Sequence, residues 1–95
     1  MRSVKHNIEQ TTDAHRFKKD MRRLTARKLL NIMAEDTRWY TLEEVATILR
    51  YRVLDDPTLH KNSAAMYLKL LIEDGTVEKR PPDKKSGYPT MYRTK

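Results

Sequence analysis

The sequence predicts an α+β fold: a three-helix core with a small antiparallel β-hairpin at its C-terminal end. Three observations carry that expectation. Over residues 61–75, KNSAAMYLKLLIEDG, Ala64, Leu68, Leu71 and Ile72 recur at i, i+4, i+7 and i+8, one face of a helix. Two strand-like runs follow, residues 76–80 and 88–93, separated by the turn-forming stretch PPDKKSG at 81–87. Upstream, Thr41-Leu42-Glu43-Glu44 has the form of a capping box and opens a second apolar stripe, Leu42, Val45, Ala46 and Leu49.

Ninety-five residues make one domain. A chain of this size buries roughly 60–65% of the surface its unfolded form exposes. The net charge of +7 is unevenly spread. Residues 1–35 hold nine Lys/Arg against four Asp/Glu, residues 36–74 five against seven, and residues 75–95 six against two. Two basic ends around a slightly acidic centre suit a polyanionic partner, with nucleic acid the first candidate. There is no cysteine, hence no disulfide and no zinc–thiolate site. No apolar run approaches the roughly 20 residues that span a bilayer, and no signal-peptide core is visible. The expectation is a soluble protein of the cytoplasm or nucleoid, without a membrane partner.

Taken in order, residues 1–19 read as a basic arm or a short helix starting at Thr11 or Thr12. Arg2, Lys5, Arg16, Lys18 and Lys19 are its candidate phosphate contacts. His6, Asp13 and His15 match no helical metal-ligand spacing, so no metal is expected. The domain proper is placed at 20–95. Residues 20–36 are a helix with Ala26, Leu29, Leu30 and Met33 as its stripe, widened by Leu24 and Ile32. Thr25 is a candidate cap. Arg22, Arg23, Arg27 and Lys28 crowd the early part of that helix, where the macrodipole does not favour cations; this points to a use outside the fold. Residues 37–40 read as a short strand joining the hairpin, with Trp39 packed under the sheet. The second helix runs from Thr41 to Val53 or Leu54. Asp55-Asp56-Pro57 then breaks the chain. The third helix takes Asn62 or Ser63 as N-cap and ends at Gly75.

Helix, short strand, capped helix, helix ending in glycine and basic hairpin, in that order, resemble the winged helix-turn-helix DNA-binding domains. The run YLKLLIEDGTVEKR is similar to the recognition helix and wing of winged-helix transcription regulators. The resemblance covers residues 24–94. The long connection after the second helix, and the Thr25-x-Arg27 pair, also resemble the DNA-binding domains of ferric-uptake-type regulators. The dimerisation domain and metal ligands of that group are absent, so metal-dependent regulation does not carry over.

The resemblance implies double-stranded DNA as partner, with the third helix in the major groove and the wing on the backbone or minor groove. Carried onto this chain, the contact candidates are His60, Lys61, Asn62, Ser63, Ala65, Met66 and Lys69 on the helix. Lys79, Arg80, Lys84, Lys85 and Tyr88 are those of the wing. Asn62 can read adenine if it is not used as the cap. Ser63 and the first amides suit a phosphate. Asp55 and Asp56 would oppose DNA if they faced it. The rival expectation is a winged-helix adaptor or inhibitor that binds another protein of a nucleic-acid machine. Single-strand or RNA binding is a third reading, in which Tyr51, Tyr67 and Tyr88 supply the stacking surfaces. Many such domains work as homodimers on two half-sites, and here only the N-terminal segment offers a dimerisation element. No Gly-rich loop, metal cluster or nucleophile–base pair is visible, so neither an enzyme nor a cofactor is expected.

Overall fold

The computed structural model describes the backbone of residues 2–95 and the side chains of residues 18–95. The elements are α1 (Arg2–Ala34), β1 (Tyr40–Thr41), α2 (Leu42–Ile48), a π-helical turn (Leu49–Val53), α3 (Lys61–Glu73), β2 (Val77–Arg80) and β3 (Met91–Thr94). They form a small α+β fold of three helices and one three-stranded antiparallel sheet. The strand order is β1-β3-β2. The expectations for Arg2, Lys5, His6, Asp13, His15 and Arg16 lie outside the described side chains. Among the described residues no helix is long and apolar enough to cross a membrane.

The stripe of α1 buries Ala26, Leu29 and Met33, with Leu30 half-buried. Leu24, expected to widen it, is 48% exposed. It stands five residues before Leu29, about 140° round the helix, and so points away from the core. Thr25 is not a cap either: its hydroxyl donates to the Met21 carbonyl at 3.0 Å. In mid-helix the local amides already have partners, and the hydroxyl turns back to the i−4 carbonyl.

The short strand falls at Tyr40–Thr41, later than expected, because residues 35–38 are spent closing α1. Asp36 N–H donates to Met33 O at 3.3 Å, and Arg38 N–H donates to Asp36 O at 2.9 Å. Tyr40 pairs with Tyr92 in β3, and both are buried. Strand side chains alternate faces, so Trp39 lies on the other side of the sheet from Tyr40. The tryptophan is half-buried there rather than packed beneath the sheet, and Tyr40 takes the core position.

The capping box of α2 forms as expected. Glu44 N–H donates to the Thr41 hydroxyl at 3.1 Å, and the Glu44 carboxylate accepts from Thr41 N–H at 3.2 Å. Val45, Ala46 and Leu49 are buried. Beyond Ile48 the helix widens into one π turn, in which Leu54 N–H donates to Leu49 O at 2.8 Å. The loop that follows is tied down locally. Arg50 Nε donates to Leu59 O at 2.7 Å, and Asp56 Oδ1 accepts from the amide and hydroxyl of Thr58. Asp56 is therefore a turn cap, and its pKa is lowered by the hydroxyl bond first and the amide bond second.

Helix α3 buries Ala64, Leu68 and Leu71 against α1 and α2. It closes in a Schellman arrangement: Thr76 N–H donates to Leu71 O and Gly75 N–H to Ile72 O, each at 3.0 Å. That geometry puts Gly75 at φ +79°, as a glycine permits. Val77 and Tyr92 close the sheet on the core as expected.

Candidate nucleic-acid interface

The helix start is held by His60. Its Nδ1 accepts from Asn62 N–H at 3.1 Å, and Ser63 N–H donates to His60 O at 3.0 Å. The cap is thus His60, not Asn62 or Ser63. Two consequences follow for the expected contacts. The amides of Asn62 and Ser63 are already taken, so they do not offer the phosphate site a bare helix start would. The Asn62 side chain, released from capping, is exposed with both its amide donor and its carbonyl acceptor available.

At 100° per residue, the row of α3 opposite Ala64, Leu68 and Leu71 is Asn62, Met66, Lys69 and Glu73. Asn62, Lys69 and Glu73 are exposed and Met66 is half-buried. Lys61, exposed, and Ala65, half-buried, flank this row on one side; Ser63, Tyr67 and Leu70, all half-buried, flank it on the other. Of the residues expected on this helix, Asn62, Met66 and Lys69 therefore share the outward row. Lys61 and Ala65 stand beside it. His60 serves the fold, and Ser63 lies on the opposite flank.

The hairpin divides its candidates between two faces. Val77 and Tyr92 point to the core, so Lys79, paired with Tyr92, lies on the core-side face but beyond the core's edge, where it is exposed. Arg80 points outward. Its guanidinium lies 4.8 Å from the Trp39 ring centroid and 5.8 Å from that of Tyr88. Arg93 stacks on Trp39 at 4.5 Å and donates from Nε to Glu78 at 2.9 Å. This cluster of two arginines on one tryptophan was not foreseen. Its signal was present in the alternation of Trp39 and Tyr40, and in the cross-strand pairing of Glu78 with Arg93. Such contacts stabilise by roughly 0.5–1 kcal/mol each when exposed.

The hairpin tip is ordered by Asp83. One carboxylate oxygen accepts from Lys85 N–H at 2.9 Å and the other from the Ser86 hydroxyl at 2.7 Å. Gly87 N–H donates to Asp83 O at 2.9 Å from φ +77°, and Asp83 N–H to Tyr88 O at 3.0 Å. The Asp83 carboxyl is held below its ordinary value, first by the Ser86 hydroxyl and then by the Lys85 amide. The turn presents Lys84 and Lys85 to solvent, and leaves Tyr88 59% exposed.

Arg38 links the sheet to α2. It donates to Glu44 at 2.6 Å, pairs with Asp36 at 3.2 Å and stacks over Tyr40 at 4.0 Å. The Glu44 pKa is lowered, chiefly by the Arg38 hydrogen bond, against an opposing desolvation and with help from the Thr41 amide. A carboxyl depressed in the folded state contributes stability above the unfolded value of roughly 4.3, and loses it as pH falls through the folded value. Thermal melts are expected to show falling stability below about pH 4. Glu44→Gln is expected to flatten part of that fall; identical pH profiles for the two proteins would refute the linkage.

No protein-family model, curated protein or solved structure matches this chain.

Proposed function

We propose that the chain is a DNA-binding protein of winged helix-turn-helix type, a small transcription regulator that seats α3 in the major groove and the β2–β3 hairpin on the backbone or minor groove. The observation that carries the reading is the outward row of α3. Asn62, whose side chain takes no part in capping, and an exposed Lys69 lie on one line, with Lys61 beside them and no acidic residue before Glu73. Asn62 has the paired donor and acceptor that match the N6 and N7 edge of adenine. Lys61, Lys69, Lys84 and Lys85 are phosphate partners. Asp56, whose side chain is occupied by Thr58, is removed as an objection. The row lacks arginine, the best reader of guanine, so sequence preference rests on Asn62 and on DNA shape.

A second reading draws on the outer face of the sheet. Trp39, Arg80, Arg93 and Tyr88 are the residue types enriched at protein–protein interfaces, and this supports an adaptor that meets another protein there. An amide chemical-shift titration with a mixed-sequence duplex of about 20 base pairs separates the two. Salt-sensitive shifts at 61–69 and 79–88 are expected for DNA binding. Silence at those residues in low salt would end the DNA reading and send the search to a protein partner.

A further inference from the structure

The buried stripe of α1 does not stop where the core stops. Positions i−4, i−7 and i−8 from Ala26 continue the same face toward the N-terminus, and they are Arg22, Lys19 and Lys18. Along one helix face the chain passes from Met33, Leu29 and Ala26 to three cations. These do not pack against another layer. With Arg23 they line a groove of about 360 Å³ whose opposite wall is Leu70 of α3. Arg23 is balanced by Asp74 at 3.6 Å. Lys18, Lys19 and Arg22 are exposed, and among the described residues no carboxylate lies within 4.0 Å of them.

A stripe of exposed cations with no carboxylate partner among the described residues contributes nothing to the packing of this fold. It makes a concave, positively charged wall facing Leu70, open to a polyanion. Its place decides which one. Leu70 is on the flank of α3 immediately beside the outward row, one residue on from Lys69. A helix is about 10 Å across with its side chains, and the major groove is about 12 Å wide, so a helix seated there has a sugar–phosphate strand along each flank.

We propose that Lys18, Lys19 and Arg22 form a second phosphate-binding site, which grips the DNA strand running along the α1 flank of α3. The inference rests on the DNA reading above. It adds that α1, and not only the helix and hairpin of the motif, sets the register of the protein on the duplex. Phosphate contacts of this kind position without reading sequence.

The test is the salt dependence of binding to a labelled mixed-sequence duplex of about 20 base pairs, followed by fluorescence anisotropy. The wild-type chain is compared with Lys19→Gln/Arg22→Gln, with the charge-retaining Lys19→Arg/Arg22→Lys, and with the charge-matched control Arg52→Gln/Lys95→Gln. Each phosphate contact contributes about 0.9 to the slope of log K against log salt. The groove pair is expected to lower the slope by about 1.8, and to weaken binding by roughly ten- to sixty-fold near 0.1 M salt. The charge-retaining pair keeps both slope and affinity, and the control pair changes the slope by less than about 0.5. Circular dichroism of each variant checks that α1 is intact. If the wild type binds but the groove pair behaves like the control, the α1 site is wrong while the DNA reading survives. If the wild type does not bind the duplex at low salt, both are wrong.

Discussion

Lys61→Glu combined with Lys69→Glu will weaken duplex binding by more than the roughly ten- to sixty-fold near 0.1 M salt expected for losing two phosphate contacts, because repulsion adds to that loss. The two lysines are eight positions apart, about 12 Å along the helix. They span the stretch of α3 proposed to meet the groove. Both are exposed, and neither forms an ion pair among the described residues. The fold has no use for a cation at Lys61 in particular. It occupies the first position of α3, where the backbone dipole repels positive charge, and the first turn holds no acidic residue. Lys61→Glu alone is therefore expected to raise stability by about 0.3–1 kcal/mol while it lowers affinity. Opposite signs in melting and binding are the result a merely structural lysine would not produce. Unchanged affinity in the double variant would remove α3 as the DNA-contacting helix.

Leu68→Ala will destabilise the fold by about 3 kcal/mol. Leu68 is completely buried, on a stripe with Ala64 and Leu71 that packs α3 against both other helices. Truncation removes three carbons and leaves a cavity, because Leu29, Met33, Val45 and Leu49 around the same core are themselves fully buried and have little room to collapse. Domains of this size are stable by roughly 5–15 kcal/mol, so the change is a large fraction of the total. A fall in melting temperature of roughly 10–25 °C follows. Leu68→Met, which keeps the volume, is expected to cost less than about 1.5 kcal/mol. A melting point within a few degrees of wild type for the alanine variant would mean that α3 is not docked through this residue.

The parts of the fold legible from the sequence were those written in local chemistry. The capping box at Thr41 and Glu44, the helix stop at Gly75 and the stripes of Ala26, Leu29, Met33 and of Ala64, Leu68, Leu71 each depend on residues within a turn or two of one another. What the sequence left unread depended on competition or on distant partners. His60, Asn62 and Ser63 can all cap α3, and only the assembled loop, pinned by Arg50 to Leu59, decides for His60. Trp39 and Tyr40 are both large aromatics. Which one faces the core depends on the register with Tyr92, fifty-two residues away, since a one-residue slip exchanges the faces. The basic residues of α1 were visible only as two groups, Lys18 and Lys19 in the arm and Arg22, Arg23, Arg27 and Lys28 in the helix. That Lys18, Lys19 and Arg22 share a groove with Leu70 required the crossing of two helices.

The stack on Trp39 makes the molecule its own optical probe. There is one tryptophan in the chain, so its emission reports a single place. Two guanidinium groups lie against the ring, that of Arg93, anchored by Glu78, and that of Arg80, which is an interface candidate and belongs to the hairpin. Any ligand that draws Arg80 toward a phosphate changes the polarity and quenching around the indole, whereas a ligand confined to α3 leaves its emission unchanged. Unlabelled protein in a cuvette can therefore tell when the hairpin engages, separately from the helix.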